Sequence, residues 1–493
     1  MTKRSTTTTL LLLGLVTACQ GPADATVLGS STTLPAAEPS TSDDSGGDTG
    51  IPDLPDPGLP PSGCDGDGGC DNRIDLLFVI DNSGTMADEQ LNLARQFGTL
   101  IDRLQDLEGP GGEPASVDVN IMVTTTDMWN PECAGPWVKP DYEAAHGAPI
   151  VTACTERPSR FVDFFGQDFG HVCTEVCTDG AAPSDPFIHF SGDEDNVVGG
   201  SPAQALSCLG PQGVDGCGFE SPLESMMQAL DPNACWNDPE GCTDEDWQWV
   251  QRPFLRDDSV LAVVLITDEV DCSLKNAGLM TDPDFMELDP SGEPSVTSAV
   301  CWNGGVACTG YDPATGRYAE CHAQDYDLDG QPVAPEQFGT GVPVLQPIDR
   351  YVDYLLALRD GGREVVMLGI LGVPEVTEHA DVPPYQPIAG GVHDLEYRDW
   401  NDADVLPTDA ADGESAASMQ AQFGIGPGCT GQLQPDGSTT GQAIPPVRIR
   451  QVCESLDDDD RVRCCIESIC GDDFSPAIRC LTDIIQDTIE PIG

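Results

Sequence analysis

The sequence has few basic residues: 21 Lys and Arg stand against 84 Asp and Glu, a formal net charge of −63 over 493 residues. Only Lys3, Lys139 and Lys275 are lysines. Proteins that bind nucleic-acid phosphates use clusters of Lys and Arg. This balance therefore excludes a generic nucleic-acid binder and disfavours direct contact with an anionic membrane surface. Hydrophobic residues still make up 39% of the chain, so the acidity does not by itself indicate disorder.

Common catalytic and membrane-spanning signatures are also missing. The chain contains no His-Glu-x-x-His motif, no Gly-x-Ser-x-Gly turn and no phosphate loop ending in Gly-Lys. Its six histidines are scattered. No apolar stretch reaches the roughly 20 residues that a spanning helix requires. These absences argue against the familiar hydrolase and nucleotide-dependent classes and against a transmembrane helix.

The N-terminus has the layout of an export signal. Basic residues open the chain, and a short apolar run at residues 10–16 leads to Cys19. This pattern resembles a bacterial lipoprotein signal with its lipobox, which implies removal of residues 1–18 and lipidation of Cys19. Gln20, where inner-membrane retention would favour Asp, implies an outer-membrane lipoprotein on the periplasmic or cell-surface side. An ordinary secretory signal with one spare thiol is the alternative.

Cysteine is abundant, with 21 residues, and setting Cys19 aside leaves 21 − 1 = 20, an even number. In an exported chain this predicts a disulfide framework, in which each bridge contributes about 2–4 kcal/mol. The spacing does not determine the connectivity. A zinc site that includes His171, Cys173 and Cys177 is the alternative at one of these clusters, and disulfides are favoured there.

Composition divides the remaining chain into a tether and a folded body. Residues 19–72 are rich in Ser, Thr, Pro, Gly and Asp with few large apolar residues, which predicts a flexible acidic linker. An ordered domain is expected over 73–493. Within it, four long stretches rich in Gly, Pro, Asp and Cys are predicted to be insertions, in addition to a Cys-rich C-terminal segment: 129–215, 232–257, 272–345 and 375–445.

The ordered part alternates strand and helix patterns. Continuous apolar runs at 76–80, 260–266 and 365–371 are typical of strands buried on both faces of a parallel sheet. Residues 93–104 and 478–489 have apolar side chains at helical spacing. The sequence therefore predicts an α/β fold with a doubly wound, mostly parallel sheet and long disulfide-rich insertions.

The turn after the first apolar run carries the most specific motif. Asp81, Ser83 and Thr85 place three oxygen donors at alternate positions where a strand leads into a helix, and open α/β sheets bind ligands at that edge. Oxygen donors of this kind select Mg²⁺, Mn²⁺ or Ca²⁺ over metals that prefer sulfur. The alternative is that these side chains only cap the following helix.

This motif, with its preceding strand, resembles the von Willebrand factor A domain and its metal-ion-dependent adhesion site, whose pattern is Asp-x-Ser-x-Ser. The resemblance covers about 73–371 and the final helix. It implies a Rossmann-like fold, a Mg²⁺ or Ca²⁺ ion, and a role for Asp268 as a further metal ligand. The Thr that completes the family's site has no counterpart; Glu220 is the candidate substitute, and a water molecule at that position is the alternative. Thr125, between two other Thr residues, is a weaker candidate that also fits a simple strand end.

A second candidate metal site lies in the third insertion. Asp325, Asp327, Asp329 and Glu336 have the spacing of an EF-hand calcium loop, with Gly330 at its turn. Flanking helices are not apparent in the pattern. An acidic surface turn is therefore an equal alternative to an isolated calcium loop.

Together these features predict a lipid-anchored, exported adhesion module rather than an enzyme. The expected partner is a protein or polysaccharide that offers a carboxylate to the divalent cation, with membrane association through the lipid anchor only and no nucleic acid. Two alternatives remain: an enzyme whose chemistry lies in the Cys-rich insertions, and a passive surface protein that calcium stabilises.

Overall fold

The computed structural model describes residues 72–489, with gaps at 110, 134–138, 140–141, 179, 246, 402–414 and 432–441. The described residues belong to one compact unit within Thr49–Gly493. The predicted signal peptide, Cys19 and all of the predicted tether except Asn72 lie outside the described residues.

The sheet has seven strands in the spatial order β7-β6-β5-β1-β2-β3-β4, and the three apolar runs of the sequence form β1, β5 and β6. The five strands from β7 to β2 are parallel to their neighbours, and β3 and β4 add an antiparallel edge. This confirms the predicted mixed α/β fold with a mostly parallel sheet. The strands are β1 (Asn72–Ile80), β2 (Val117–Thr125), β3 (Ile188–Ser191), β4 (Glu194–Asp195), β5 (Val260–Ile266), β6 (Val365–Leu371) and β7 (Cys464–Ser468).

Helices cover both faces of the sheet because successive strand residues point in opposite directions. Leu76 and Phe78 face one core with α1, α3 and α9, whereas Leu77 and Val79 face the other with α4, α6 and α8. In the described part of the chain, no helix is both long and apolar enough to cross a membrane. The helices are α1 (Ala87–Gln105), α2 (His171–Thr174), α3 (Pro202–Leu209), α4 (Pro222–Ala229), α5 (Ala299–Gly305), α6 (Ile348–Asp360), α7 (Ala416–Phe423), α8 (Val447–Glu454) and α9 (Ser475–Ile489).

The connections that follow β5 and β6 build a third core, which includes Leu279, Val300, Trp302, Leu345 and Ile425. Short pieces of regular structure support these connections. The 3₁₀ turns are Pro131–Cys133, Cys154–Glu156, Pro158–Phe161, Ala277–Thr281, Pro335–Gln337 and Gly391–His393. The two-stranded ladders pair Ala182–Pro183 with Val197–Val198, Glu287–Leu288 with Pro294–Ser295, Val306–Thr309 with Glu320–Ala323, Arg317–Tyr318 with Tyr397–Arg398, Val376–His379 with Pro387–Gly390, and Cys429–Thr430 with Gln442–Ala443.

Disulfides are as frequent as the cysteine count predicts: the described residues contain nine, which pair all 18 of their cysteines. Most lie in the long connections, where little core is available to stabilise the chain. The pairs are Cys133–Cys217, Cys154–Cys173, Cys177–Cys208, Cys235–Cys242, Cys272–Cys301, Cys308–Cys321, Cys429–Cys470, Cys453–Cys464 and Cys465–Cys480.

Two segments that the sequence analysis placed outside the central sheet belong to it. The stretch 129–215 contains the edge strands β3 and β4 and the helix α3, and the Cys-rich C-terminal segment contains β7. β3 is only four residues long, and β7 begins with two cysteines, so neither presents a long apolar run. Tertiary pairing against β2 and β6 decides their conformation instead.

The strand order creates one preferred place for a ligand. The chain runs from β1 to β2 on one side and later returns to β5 on the other side of β1. At such a switch point the connections diverge and leave a crevice outside the carboxyl ends of the strands. The turns after β1 and β5 carry Asp81 and Asp268, so both carboxylates lie at this crevice.

Candidate metal centre

The turn that follows β1 fixes Asp81 at the carboxyl edge of the sheet. Its side chain is fully buried, and its backbone N–H donates to the carbonyl of Ile266 at the end of β5, 3.0 Å away. One carboxylate oxygen accepts the backbone N–H of Ser83 at 2.7 Å, and the other accepts the hydroxyl of Thr267 at 2.5 Å. The ends of β1 and β5 therefore orient this carboxylate between them.

The other three predicted ligands lie in contact with one another beside Asp81. The hydroxyl oxygens of Ser83 and Thr85 are 3.4 Å apart, and the Thr85 hydroxyl lies near enough to the Asp268 carboxylate to oppose the rise in its pKa. Asp268 is buried, and within the described residues its Oδ1 atom has no hydrogen-bond partner. Thr85 and Gly84 are exposed. The structure thus brings Asp81, Ser83, Thr85 and Asp268 into one cluster that opens to solvent at Thr85.

These side chains do not cap the following helix. α1 begins at Ala87, its N-cap is Met86, and no side chain caps it. Ser83 contributes only its carbonyl oxygen, which accepts the N–H of Met86 at 3.3 Å. The capping alternative therefore does not account for the hydroxyls of Ser83 and Thr85, which point toward the carboxylates.

The cluster is electrostatically unfavourable without a cation. Burial raises the pKa of Asp81 to about 6, with a further contribution from the charge of Asp127 and an opposing one from the Thr267 hydrogen bond. Burial and the neighbouring charge of Asp81 raise the pKa of Asp268 to about 7. A buried carboxylate without a positive partner is costly, so a divalent ion at this position would stabilise the charged form of both groups.

Glu220, the substitute proposed for the missing Thr, lies near this cluster. Its side chain is buried; Oε2 accepts the hydroxyl of Thr126, while Oε1 has no partner within the described residues. Burial, followed by the charges of Asp81 and Asp127, raises its pKa well above the usual value. Glu220 therefore has one buried oxygen without a partner in the described structure, near enough to Asp81 for that charge to raise its pKa.

Thr125 occupies a different environment. Its hydroxyl accepts the backbone N–H of Asp127 at 3.3 Å, and the neighbouring Thr124 donates to the carbonyl of Ala148 at 2.8 Å. Both contacts stabilise the chain as it leaves β2. They fit the alternative of a strand end, and among the described residues Thr125 forms no hydrogen bond with Asp81, Ser83 or Asp268.

Asp127 connects the end of β2 to the metal motif. Its carboxylate accepts the N–H groups of Trp129 and Cys217, each at 3.0 Å, and the hydroxyl of Tyr142. The amide of Asn82, within the motif, donates to the same Tyr142 oxygen at 3.2 Å. A hydrogen-bonded chain from Asn82 to Trp129 therefore joins the turns after β1 and β2. Trp129 has a positive φ of 52° and its side chain is about half exposed.

Two further contacts fix the loop that precedes Glu220. The buried amide of Gln90 on α1 donates to the carbonyls of Asp81 and Gly213 at 2.8 Å. Gly216 donates its N–H to the carbonyl of Asn82 at 2.9 Å. A Cβ atom at Gly216 would lie 2.7 Å from that same oxygen, so only glycine permits this approach. These contacts hold the loop against the metal motif.

The predicted calcium loop is divided between two environments. Asp325 is buried; it bonds to the guanidinium of Arg448 at 3.3 Å and accepts the N–H of Ile348. Asp327 accepts the N–H of Asp329 at 3.0 Å within the turn. Glu336 is exposed on a 3₁₀ turn. The Arg448 ion pair satisfies Asp325 without a metal, and calcium binding at this loop stays a prediction.

The zinc alternative does not fit the sulfur chemistry of its cluster. Sulfur atoms of Cys154, Cys173 and Cys177 lie within 4.8 Å of one another. Cys173 is bonded to Cys154, and Cys177 is bonded to Cys208. Their proximity reflects two adjacent disulfides and offers no thiolate for a metal.

Sequence reasoning missed four residues of the centre: Thr267, Asp127, Glu89 and Glu269. Thr267 and Glu269 flank Asp268, and Asp127 follows β2 at the same sheet edge. Their positions at strand ends could therefore have identified these three residues. Glu89 lies in the first turn of α1, where the helix dipole favours an acid, so its position gives no sign of a further role. It is buried, and its pKa lies well above the usual value because of burial and then the charge of Asp268.

Comparison with known proteins adds no relative. No family model matches the chain, and neither the curated proteins nor the solved structures yield a significant match. The interpretation of this centre therefore rests on its geometry and chemistry.

Proposed function

We propose that this chain is an exported, lipid-anchored binding module of the von Willebrand factor A type, which recognises a carboxylate-bearing partner through a divalent cation. Asp81, Ser83, Thr85 and Asp268 hold the ion, and Mg²⁺ or Ca²⁺ is the expected metal. Recognition rather than turnover is its function.

One observation carries the proposal: the Oδ1 atom of Asp268 is buried without a partner in the described structure, beside the hydroxyls of Ser83 and Thr85 and near Asp81. An unsatisfied buried carboxylate oxygen costs roughly 1–3 kcal/mol or more. A divalent ion would satisfy this oxygen and offset the raised pKa of both Asp residues. All four residues supply hard oxygen donors, as Mg²⁺ and Ca²⁺ prefer.

The donor set also supports an exchangeable position on the ion. Asp81 and Asp268 bring two negative charges, which balance a divalent cation, while the hydroxyls of Ser83 and Thr85 bring none. The ion would remain attractive to a further anionic ligand. Thr85 and Gly84 are exposed, so that ligand approaches from solvent. A carboxylate of a protein or an acidic polysaccharide has the required charge and donor atoms.

The proposed location rests on the sequence alone. The lipobox-like segment around Cys19 and the linker over 19–72 would attach the folded body to the outer membrane and hold it away from the lipid. The scarcity of Lys and Arg fits attachment through the lipid rather than through basic residues.

Capture of partners from surface extracts tests this function. The immobilised wild-type protein should retain a specific partner in Mg²⁺ or Ca²⁺ and release it in EDTA. The Asp81→Asn variant should fail to retain the partner, because the substitution weakens binding of the ion. Asp102→Asn, on the exposed side of α1, should behave as wild type. Equal recovery of the partner with and without EDTA, or equal recovery by the two variants, would contradict cation-dependent binding.

A further inference from the structure

A cavity of about 330 Å³ lies at the amino end of the parallel strands. Arg73 and Asp118, which line it, are the second residues of β1 and β2, whereas Asp81 follows the carboxyl end of β1. Roughly 25 Å of strand therefore lies between this cavity and the proposed metal centre. The lining combines three arginines and a histidine with one acid, one amide and two apolar residues: Arg73, Arg252, Arg256, His189, Asp118, Asn120, Phe187 and Pro253.

Arg252 presents a guanidinium that a ligand can reach. Its side chain is exposed, and within the described residues it forms no ion pair. Arg256, by contrast, pairs with Asp75 at 2.7 Å and with Asp118 at 2.5 Å, and Arg73 pairs with an exposed aspartate. The cavity therefore keeps an unbalanced positive charge in a chain whose formal net charge is −63. A planar guanidinium binds a carboxylate through two parallel hydrogen bonds.

Hydrogen bonds fix the orientation of the His189 ring beside Arg252. The side-chain nitrogen of Asn120 donates to the carbonyl of Phe254 at 3.0 Å, so its oxygen faces His189. Nδ1 of His189 therefore donates to that oxygen at 3.0 Å, and it lies 3.4 Å from Asp118. Nε2 has no hydrogen-bond partner among the described residues, and the ring lines the cavity.

The unpartnered ring nitrogen is an acceptor. Burial lowers the pKa of His189. The charge of Asp118 opposes this shift, whereas the charges of Arg252 and Arg256 add to it. A neutral imidazole with its proton on Nδ1 keeps a lone pair on Nε2. That atom accepts a hydrogen bond from a hydroxyl group and repels an anion, so the cavity offers two different polar contacts.

We propose that this cavity binds a hydroxylated carboxylate of about the size of one sugar acid, without a metal. Arg252 binds the carboxylate, and Nε2 of His189 accepts a hydroxyl. Phe187 and Pro253 contact the apolar face of the ligand. The volume is at the small end of the range for ligand sites, roughly 300–1,000 Å³, which fits a single sugar ring. This inference does not depend on the proposed function.

Binding of glucuronate to protein stripped of metal tests the inference. Ligand-observed NMR in metal-free buffer at pH 7.5 should show that wild type binds glucuronate at least about tenfold more tightly than glucose, which lacks the carboxylate. Arg252→Gln should lose about the same factor for glucuronate. Arg317→Gln, at another exposed arginine, is the charge-matched control and should bind as wild type. Equal affinity of Arg252→Gln and wild type, or no binding by wild type at millimolar glucuronate, would overturn the site.

A second variant tests the contact with the hydroxyl. Wild type should prefer glucuronate to cyclohexanecarboxylate, which lacks hydroxyls. His189→Asn keeps a donor in place of Nδ1 but removes Nε2, so it should bind the two carboxylates with similar affinity. A preference that stayed at the wild-type value would overturn the role of His189.

Metal-free buffer separates this cavity from the metal centre. Failure of cation binding at the Asp81 motif would contradict the proposed function without changing the glucuronate result, because no cation is present in this titration. Glucuronate that bound wild type only after addition of Mg²⁺ would belong to the metal centre and would overturn the inference.

Discussion

At the scale of single residues, the proposed metal centre consists of carboxylates that are buried in the protein even without a bound cation. Asp81 is held by Ser83 and Thr267, whereas Asp268 keeps one oxygen without a partner in the described structure. The turn after the first apolar run predicted Asp81, Ser83 and Thr85, because ligands bind at the carboxyl edge of such a sheet, whereas Asp268 was implied by the family resemblance. The sequence could not predict that Glu89 turns inward, since burial of an acid on an amphipathic helix depends on tertiary packing.

The first prediction concerns the pH dependence of stability without metal. The pKa of Asp81 is raised to about 6 and that of Asp268 to about 7, so between about pH 4 and 7 the folded protein binds more protons than the unfolded chain. Stability in EDTA should therefore fall as pH rises through this range. Each unit by which folding raises a pKa corresponds to about 1.4 kcal/mol in the free energy of unfolding. Urea unfolding at pH 5 and 7.5 measures the slope.

The Asp268→Asn variant isolates one contributor to that slope. In this variant the fall of stability with rising pH should be smaller. In EDTA at pH 7.5 it should unfold at a higher urea concentration than wild type, yet Mg²⁺ should raise its stability little. Asp102→Asn, at an exposed site on α1, should keep the wild-type slope. A wild-type protein whose stability in EDTA rose from pH 5 to 7.5 would contradict the assignment of these charges.

A second prediction concerns Gln90, whose amide joins α1 to the metal motif and its neighbouring loop. Gln90→Met keeps the side-chain volume but leaves the carbonyls of Asp81 and Gly213 without a donor. Each unsatisfied buried group costs about 1–3 kcal/mol, so urea unfolding should show a loss of about 2 kcal/mol or more. Gln105→Met, at an exposed position of the same helix, should change stability little; equal effects would refute the role of Gln90.

At the scale of elements, the sheet positions the centre and the long connections enclose it. β1, β5 and β6 could be predicted because their continuous apolar runs identify strands buried on both faces. β3 and β7 could not, since pairing with β2 and β6 rather than their own composition determines them. The Cys133–Cys217 disulfide holds the loop before Glu220. Cys217 lies in that loop, and Cys133 follows the end of β2. The proposed metal centre thus depends on connections that only the folded chain brings together.

The third prediction compares two disulfides that close loops of different length. Cys133–Cys217 closes 84 residues, with two shorter disulfides nested inside, and Cys235–Cys242 closes seven. By loop-closure entropy, replacing each pair by Ser should cost about 4 and about 2 kcal/mol respectively. Only the first replacement should also lower Mg²⁺ affinity in calorimetry, because it releases the loop next to Asn82. Equal metal affinity in both variants would contradict this coupling.

At the scale of the whole molecule, the net charge of −63 remains the dominant feature. Strands β5 and β6 carry no charged residue, and β1, β2 and β7 together carry one Arg, two Asp and one Glu, so most of the excess lies outside these strands. Like charges at the surface destabilise the compact state unless ions screen them. Dissolved monovalent salt and specifically bound divalent ions should therefore stabilise the protein through separate effects.

The fourth prediction separates these two effects. In EDTA the melting temperature should rise with NaCl between 0.01 and 0.5 M, and millimolar Ca²⁺ should raise it further at either salt concentration. The Asp81→Asn variant should keep the response to NaCl and lose most of the response to Ca²⁺. A wild-type melting temperature indifferent to both ions would show that neither surface repulsion nor the metal centre limits stability.

The central claim is that Asp81, Ser83, Thr85 and Asp268 hold a divalent cation, and titration calorimetry with Mg²⁺ tests it most directly. Wild-type protein stripped with EDTA and exchanged into metal-free buffer should bind Mg²⁺ with measurable heat, and Asp102→Asn should match it. Asp81→Asn should bind at least about tenfold more weakly, a difference of about 1.4 kcal/mol. Equal affinity of Asp81→Asn and wild type would contradict the account.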